Sequence, residues 1–129
     1  MLEFIESPDD VLAVKLTGTI TGKDLDSILD RVEDMFAKPG KKIHFYVETK
    51  GIEGLELSAL PHHFSRSFPL FSKLDRFGRV AVVADQAWMR VFTRFESALL
   101  PYVSYRVYEP EERKAALDFA YGKEELVTA

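Results

Sequence analysis

The sequence predicts a single α/β domain with a mixed, mainly parallel sheet of about five strands and helices on both faces. Three observations support this class. Strand-like and helix-like stretches alternate along the chain, residues 80–84 form an uninterrupted apolar run, and two strand-like runs open the chain around a turn. Alternation of strands and helices is typical of parallel sheets with crossover helices. An uninterrupted apolar strand is typical of a strand covered on both faces.

The first half of the chain predicts a hairpin, a helix and a strand. Residues 2–6 and 11–16 have strand composition, and the turn residues Pro8, Asp9 and Asp10 lie between them, which places an antiparallel strand at one edge. A Thr-x-x-acid pattern then precedes an apolar stripe with spacings of three and four, which predicts a helix ending at Pro39–Gly40. The stripe consists of Leu25, Ile28, Leu29, Val32, Met35 and Phe36. Residues 43–47 predict the next strand, and the glycine segment GIEG after it predicts a plain turn.

The second half predicts further helices and two more strands. Two prolines interrupt residues 55–77, so we expect two short helical pieces there. After the strand at 80–84, Asp85 can cap a helix whose stripe begins at Trp88 and which Pro101 ends. Residues 103–108 predict the last strand. A final helix is expected to start at Pro110 and to stop at Gly122.

Length and composition limit the classes of protein to consider. With 129 residues the chain fits one domain, which we assign to residues 1–129. The absence of cysteine excludes disulfides and cysteine-based zinc sites or nucleophiles. A net charge of −4 argues against a nucleic-acid binder. No apolar run is long enough for a membrane span and the N-terminus lacks signal-peptide character, so we expect a cytoplasmic protein.

Local motifs add a family resemblance to this order of elements. Residues 79–88 (RVAVVADQAW) resemble the "R-hydrophobic-A-V-V-x-D-x-x-W" segment of SpoIIAA-like domains, and residues 12–21 resemble the second strand and helix start of that family. Tyr108–Glu109 followed by an acidic helix that contains residues 115–117 (AAL) also fits. The chain therefore resembles, over nearly its whole length, a SpoIIAA-like domain of the STAS type. That family lies structurally near the CRAL-TRIO lipid-binding fold.

One departure concerns the phosphorylation motif of anti-sigma-factor antagonists. Those relatives carry an Asp-Ser-Ser-Gly-like sequence just after the third strand, whereas residues 54–60 here are GLELSAL. Ser58 is the nearest hydroxyl, but no Asp precedes it and no Gly follows it. We expect Ser58 to be a helix N-cap or a polar surface residue, with a regulatory phosphorylation site as the alternative.

No residue pattern requires catalysis, a metal or a cofactor. His62 and His63 are adjacent and would diverge on a helix, and His44 stands alone in a strand, so we expect surface or packed histidines. Five acidic residues of the first predicted helix lie off its apolar stripe: Asp24, Asp26, Asp30, Glu33 and Asp34. They predict a solvated face, with a docking surface for a basic partner as the alternative. We therefore predict a protein without catalytic or metal-binding residues and without a cofactor.

Residues 55–77 are the predicted ligand-binding segment. They combine aromatic and basic side chains, and residues 61–100 carry 6 basic and 3 acidic residues in an otherwise acidic chain. We select as ligand- or membrane-binding residues Phe64, Arg66, Phe68, Phe71, Lys73 and Arg76. Phenylalanines can enter a lipid surface and nearby cations are attracted to anionic lipids, whereas a helix pair packed on the sheet is the alternative.

The sequence thus leads to a ranked set of functions. The first is a non-catalytic domain that binds an apolar or lipid-like ligand, with peripheral membrane association through residues 55–77 as an extension. The lipid class is implied by the CRAL-TRIO resemblance. The second is a regulatory protein-interaction module of the anti-sigma-antagonist type, acting through the Ser58 region and the first helix. An enzyme is third, and both a protein partner and a homodimer stay open.

Overall fold

The computed structural model describes residues 1–40, 42–56, 58, 61–62, 65, 74–99 and 103–123. The described strands are β1 (Leu2–Phe4), β2 (Val11–Ile20), β3 (Ile43–Leu55), β4 (Phe77–Val83) and β5 (Ser104–Tyr108). The described α-helices are α1 (Gly22–Ala37), α2 (Gln86–Leu99) and α3 (Arg113–Tyr121). Short 3₁₀ turns at Leu74–Arg76 and Pro110–Glu112 precede β4 and α3. Most of the segment predicted to hold two helical pieces lies outside the described residues.

The five strands form one sheet in the order β1-β2-β3-β4-β5. The β1 strand is antiparallel to β2, and the other three neighbouring pairs are parallel. This arrangement confirms the predicted α/β class, the mainly parallel sheet and the antiparallel edge strand.

Each face of the sheet has its own core. Tyr46 and Ala81 belong to the cluster on one face, where α3 contributes Ala116 and Phe119. Neighbouring strand residues point to the opposite face, which we call the α1/α2 face. Two clusters lie on that face. Val32 and Phe36 of α1 belong to one, and Trp88 and Phe92 of α2 pack against the other. Helices therefore cover both faces of the sheet, as predicted.

Local signals place α1 as expected. The hydroxyl of Thr21 accepts a hydrogen bond from the Asp24 N–H at 3.2 Å, and the Asp24 carboxylate accepts one from the Thr21 N–H at 3.0 Å. This reciprocal pair is a capping box, which satisfies two N–H groups at the start of the helix. Val32 and Phe36 on the predicted stripe are buried. The acid of the Thr-x-x-acid pattern thus serves the helix end.

The prediction of a turn after the third strand is wrong. Strand β3 continues through the glycine segment to Leu55. Thr17 pairs with Lys50 and Gly18 pairs with Ile52, so Gly51 is an extra residue on β3. Gly18 and Gly51 have φ values of 63° and 59°. Because glycine adopts positive φ at low cost, the paired strands bulge here rather than end.

The last helix follows its predicted signals. Pro110 lies in the 3₁₀ turn that leads into α3, where its missing N–H costs no helical hydrogen bond. Gly122 ends α3 with a φ of 74°, and its N–H donates to carbonyls of the last turn. A left-handed glycine at this position is a common helix stop.

Helix α2 begins at Gln86, directly after Asp85 as expected, but no hydrogen bond from the described residues shows the predicted side-chain cap by Asp85. The Asp85 carbonyl accepts from the Trp88 and Met89 N–H groups at 3.1 and 2.9 Å. Trp88, which leads the predicted stripe, is half-buried and packs on the cluster that contains Val82. Its indole N–H is 3.4 Å from the Ile52 carbonyl of β3.

Replacing Trp88 with alanine tests the docking of α2. Since the indole is half-buried, we expect Trp88→Ala to lower the free energy of unfolding by about 2 kcal/mol, less than for a fully buried tryptophan. Urea denaturation followed by circular dichroism measures this loss. Wild-type stability of the variant would mean that α2 does not pack on the sheet through this residue.

Candidate functional site

The predicted ligand-binding residues fall mainly outside the described part of the chain. This applies to Phe64, Arg66, Phe68, Phe71 and Lys73. Their role in binding a ligand or a membrane therefore stays a prediction.

Arg76, the sixth predicted ligand-binding residue, is described and lies at the end of α1. Its guanidinium donates to the Phe36 carbonyl at 2.8 Å and to the Lys38 carbonyl at 2.7 Å, and it lies 5.1 Å from the centre of the Phe36 ring. Carbonyls at a helix C-terminus lack intrahelical donors, and a cation there interacts favourably with the helix dipole. Arg76 therefore holds α1 against the start of β4.

Arg79 makes the corresponding contact on the opposite face. Its guanidinium lies 3.4 Å from the Ala120 carbonyl in the last turn of α3. Two arginines three residues apart thus hold the C-terminal ends of two helices, α1 on one face and α3 on the other. Residues at the start of β4 therefore attach both helices to the sheet.

The Ser58 region lies beside the first helix. Ser58 is exposed and follows the end of β3, where the Glu56 N–H donates to the Ile20 carbonyl at 2.9 Å. The His62 imidazole is 3.8 Å from the Asp26 carboxylate on α1. The structure thus places His62, four residues after Ser58, against the first helix. We call the surface formed by Ser58, Pro61, His62 and the outward side of α1 the α1 surface.

The outward side of α1 is acidic and accessible. Asp30, Glu33 and Asp34 are exposed, whereas Asp24 is half-buried in the capping box. The expected solvated face is thus present at these three positions, whereas Asp26 is half-buried beside His62 and the Asp24 carboxylate serves the helix end.

A buried polar cluster under the N-terminus of α3 was not predicted. Glu48 lies on β3 with 8% of its surface exposed. Its Oε1 accepts from the Tyr46 hydroxyl at 2.7 Å and from the Arg113 Nε at 2.7 Å. The Lys15 ammonium lies 3.8 Å from its Oε2. Tyr46 itself is fully buried. We call these four residues the Glu48 cluster.

The contacts within the Glu48 cluster lower the pKa of Glu48 and raise those of Tyr46 and Arg113. Burial alone would raise the pKa of Glu48, but the hydrogen bonds from Tyr46 and Arg113 and the nearby cations hold that pKa below its ordinary value. Burial and the hydrogen bond to Glu48 raise the pKa of Tyr46. The hydrogen bond to Glu48 also raises the pKa of Arg113. The cluster thus keeps Glu48 ionised and Tyr46 protonated at neutral pH.

One signal for this cluster exists in the sequence. Glu48 follows Tyr46 by two residues in a strand, so both side chains point to the same face of the sheet. A carboxylate at a covered strand position needs a partner. The sequence does not show that the partner is Arg113, which lies 65 residues further along the chain.

The sequence predicted surface or packed histidines. His44 is packed and His62 is exposed, whereas His63 lies outside the described residues. The His44 Nδ1 accepts the backbone N–H of Arg79 at 2.8 Å, and its Nε2 lies 3.7 Å from the Asp10 carboxylate. Within the described residues, no group of three or more potential ligands is arranged to hold a metal ion.

Two larger clefts lie at opposite edges of the sheet. A cleft of about 480 Å³ at the amino edge is lined by Asp9, Asp10, Met35, Lys38, Pro39, Ile43 and Arg76. A cleft of about 620 Å³ at the carboxyl ends of β4 and β5 is lined by Ala84, Asp85, Gln86, Ala87, Met89, Glu109, Pro110 and Glu111. Charged and small side chains dominate both linings. No helix among the described residues is long and apolar enough to cross a membrane.

Comparisons with known proteins agree with this fold. The family model described as SpoIIAA-like matches residues 11–120 of the chain. A comparison of the sequence with curated proteins gives no significant match. Among solved structures, the chain is similar to an uncharacterised protein of Shewanella loihica PV-4 that has a SpoIIAA-like fold. The identity is 22%, the TM-score is 0.60, and the match covers 93% of this chain and 92% of that one. The structural likeness shows the fold, and the family model spans most of the sequence: the chain belongs to the SpoIIAA-like family.

Proposed function

We propose that this domain binds a partner protein through the α1 surface and catalyses no reaction. Membership of the SpoIIAA-like family supports a binding role. The observation that carries the proposal is the contact of His62, four residues after exposed Ser58, with Asp26 on the acidic side of α1. The exposed side of α1 supplies carboxylates, and Ser58 supplies an exposed hydroxyl. Such a surface suits a partner with a basic patch, because complementary charge speeds association and selects the partner.

The apolar-ligand and membrane hypothesis ranks second. It depends on the aromatic and basic residues between positions 64 and 73, which lie outside the described part of the chain. Arg76, the described member of that set, binds the carbonyl end of α1. Charged side chains lie among the apolar ones in both of these clefts, whereas a lipid tail requires a mainly apolar lining. The hypothesis therefore keeps the status of a prediction from the sequence.

Site-specific photo-crosslinking in the native cell tests the proposed surface. A photoreactive amino acid replaces Ser27, which is exposed on α1, and in a matched control it replaces Ala115, which is exposed on α3. We expect one protein to crosslink at position 27 and not at position 115. Equal crosslinking at both positions, or none at position 27, contradicts the proposal.

Charge neutralisation then tests the mechanism with the purified partner. We expect Asp30→Asn with Asp34→Asn to weaken binding about tenfold and to slow association, as loss of complementary charge does. The control carries the same charge change elsewhere, Glu3→Gln with Glu111→Gln, and should bind like the wild type. Isothermal calorimetry and stopped-flow kinetics give the two quantities, and circular dichroism checks the fold. Equal effects of the two double variants would show that only net charge matters.

A further inference from the structure

His44 occupies a bulge between β3 and β4. Ile43 pairs with Phe77 and Phe45 pairs with Val80, so one residue of β3 lies opposite two residues of β4. Such a bulge leaves a backbone group without its regular ladder partner. The freed N–H is that of Arg79, and the His44 ring nitrogen Nδ1 accepts it at 2.8 Å. The imidazole thus takes the place of a backbone carbonyl in the sheet.

The packing around the ring leaves it little freedom. A Cβ on Gly78 would lie 2.2 Å from two atoms of the imidazole, so the ring rests directly on the glycine backbone. Only 8% of the His44 surface is exposed. A ring in this position keeps the Arg79 N–H bond only while Nδ1 is unprotonated, because a protonated nitrogen is a donor and not an acceptor.

Charged groups from three segments act on the ring. Arg79 on β4 and Lys42 before β3 oppose its protonation, and Asp10 in the turn before β2 favours it. Burial is the largest influence, and with the two cations it lowers the pKa of His44 below 6.5. The charged ring has one acceptor at hand, the Asp10 carboxylate 3.7 Å from Nε2. The neutral ring accepts the Arg79 N–H at Nδ1 and carries its own proton on Nε2, toward Asp10. Protonation of Nδ1 therefore removes the acceptor of the Arg79 N–H and leaves Asp10 beside a charged ring.

We propose that His44 is a pH-sensitive latch: its neutral ring holds the bulge at the start of β4, and protonation of Nδ1 releases the Arg79 N–H while Asp10 stabilises the charged ring. The bulge includes Arg79, which contacts the end of α3, and it closely follows Arg76, which contacts the end of α1. Loss of the hydrogen bond between His44 and the Arg79 N–H therefore weakens the attachment of both helices to the sheet. The device is independent of the proposed partner surface.

Amide hydrogen exchange of Arg79, measured by NMR and corrected for the intrinsic pH dependence, tests the latch. As the pH falls through the titration of His44, we expect the protection of this amide in the wild type to fall with the neutral fraction of the ring, about tenfold at one pH unit below the midpoint. In His44→Asn, whose side-chain oxygen can accept the same N–H without titrating, the protection should not change with pH. His62→Asn, which removes an exposed histidine, should behave like the wild type.

A second variant separates the latch from a general effect of acid. Asp10→Asn removes the negative charge beside Nε2, so His44 should protonate at a lower pH, and the loss of Arg79 protection should move with it. Imidazole chemical shifts report the protonation. The proposal is overturned if His44 stays neutral until the domain unfolds, if it protonates while Arg79 protection stays constant, or if His44→Asn loses protection as the wild type does.

Discussion

Replacing Gly78 with alanine is expected to lower the free energy of unfolding by about 3 kcal/mol, the combined cost of overpacking a covered site and of losing one hydrogen bond. The new methyl carbon would lie 2.2 Å from the His44 ring, a distance at which one of the two groups must move. The ring is buried, with Asp10 3.7 Å from its Nε2, so it can move aside only if its surroundings rearrange. Moving it breaks the bond to the Arg79 N–H. Urea denaturation at neutral pH measures the loss.

Two further variants show whether the His44 contact is the cause. Gly54→Ala is the matched control, since a Cβ at this strand glycine meets no atom within 4 Å, and we expect a change below about 0.5 kcal/mol. In the double variant Gly78→Ala with His44→Ala the clash is absent, so the two losses should not add. Strict additivity, or a Gly78→Ala protein as stable as the wild type, would contradict the packing of the ring on Gly78.

The elements that the sequence predicts well have determinants within a few residues of each other. The capping box of α1 joins Thr21 to Asp24, and the stop of α3 depends on Gly122 alone. Both signals act through the backbone of their own helix, so the distant parts of the fold do not alter them. The uninterrupted apolar run before Asp85 likewise predicts a strand covered on both faces, and Val82 and Val83 on opposite faces are both buried.

The glycine segment of β3 shows where local patterns fail. Glycine breaks many strands, but Gly51 is the extra residue of a bulge beside Gly18, which pairs with Ile52, and both glycines adopt positive φ. The two strands bulge together and pairing continues to Leu55. This outcome depends on the register between residues more than 30 positions apart, which no local window contains.

The candidate site is predictable from the sequence only in part. The acidic side of α1 and the position of Ser58 follow from helix periodicity and from the family resemblance. The contact of His62 with Asp26 depends on how the chain returns after β3. Arg76 was selected as a basic ligand-binding residue, whereas its guanidinium lies against the end of α1. A charged residue at the surface and one that holds a helix end have the same local sequence pattern.

The Glu48 cluster also explains an unusual feature of α3. The helix begins with Arg113, although a cation at a helix N-terminus is unfavourable for the helix dipole. The bond of 2.7 Å to Glu48 compensates this charge and fixes the helix start over β3. Because the Arg113 side chain is half exposed, solvent screens its part of the pair. The larger contribution to stability comes from the hydrogen bond that the fully buried Tyr46 hydroxyl donates to Glu48.

Replacing Glu48 with alanine should therefore cost about 3 kcal/mol at neutral pH, since it leaves the Tyr46 hydroxyl buried without an acceptor and removes the anchor of Arg113. In the double variant Glu48→Ala with Tyr46→Phe no hydroxyl is stranded, so this protein should be more stable than the sum of the two single losses predicts. Glu111→Ala, at an exposed carboxylate on the 3₁₀ turn, is the control and should change stability little.

The pH dependence of the Glu48 variants separates the charge from the packing. The pKa of Glu48 is lower in the folded chain than its ordinary value of 4.5, so the unfolded chain binds the proton first as the pH falls. The stabilisation by the carboxylate is then complete above that value and is lost as the pH falls through the folded pKa. The stability difference between wild type and Glu48→Gln, measured by urea denaturation at a series of pH values, should follow this course. A difference that stays constant into the acid range would mean that Glu48 acts through its shape and hydrogen bonds and not through its charge.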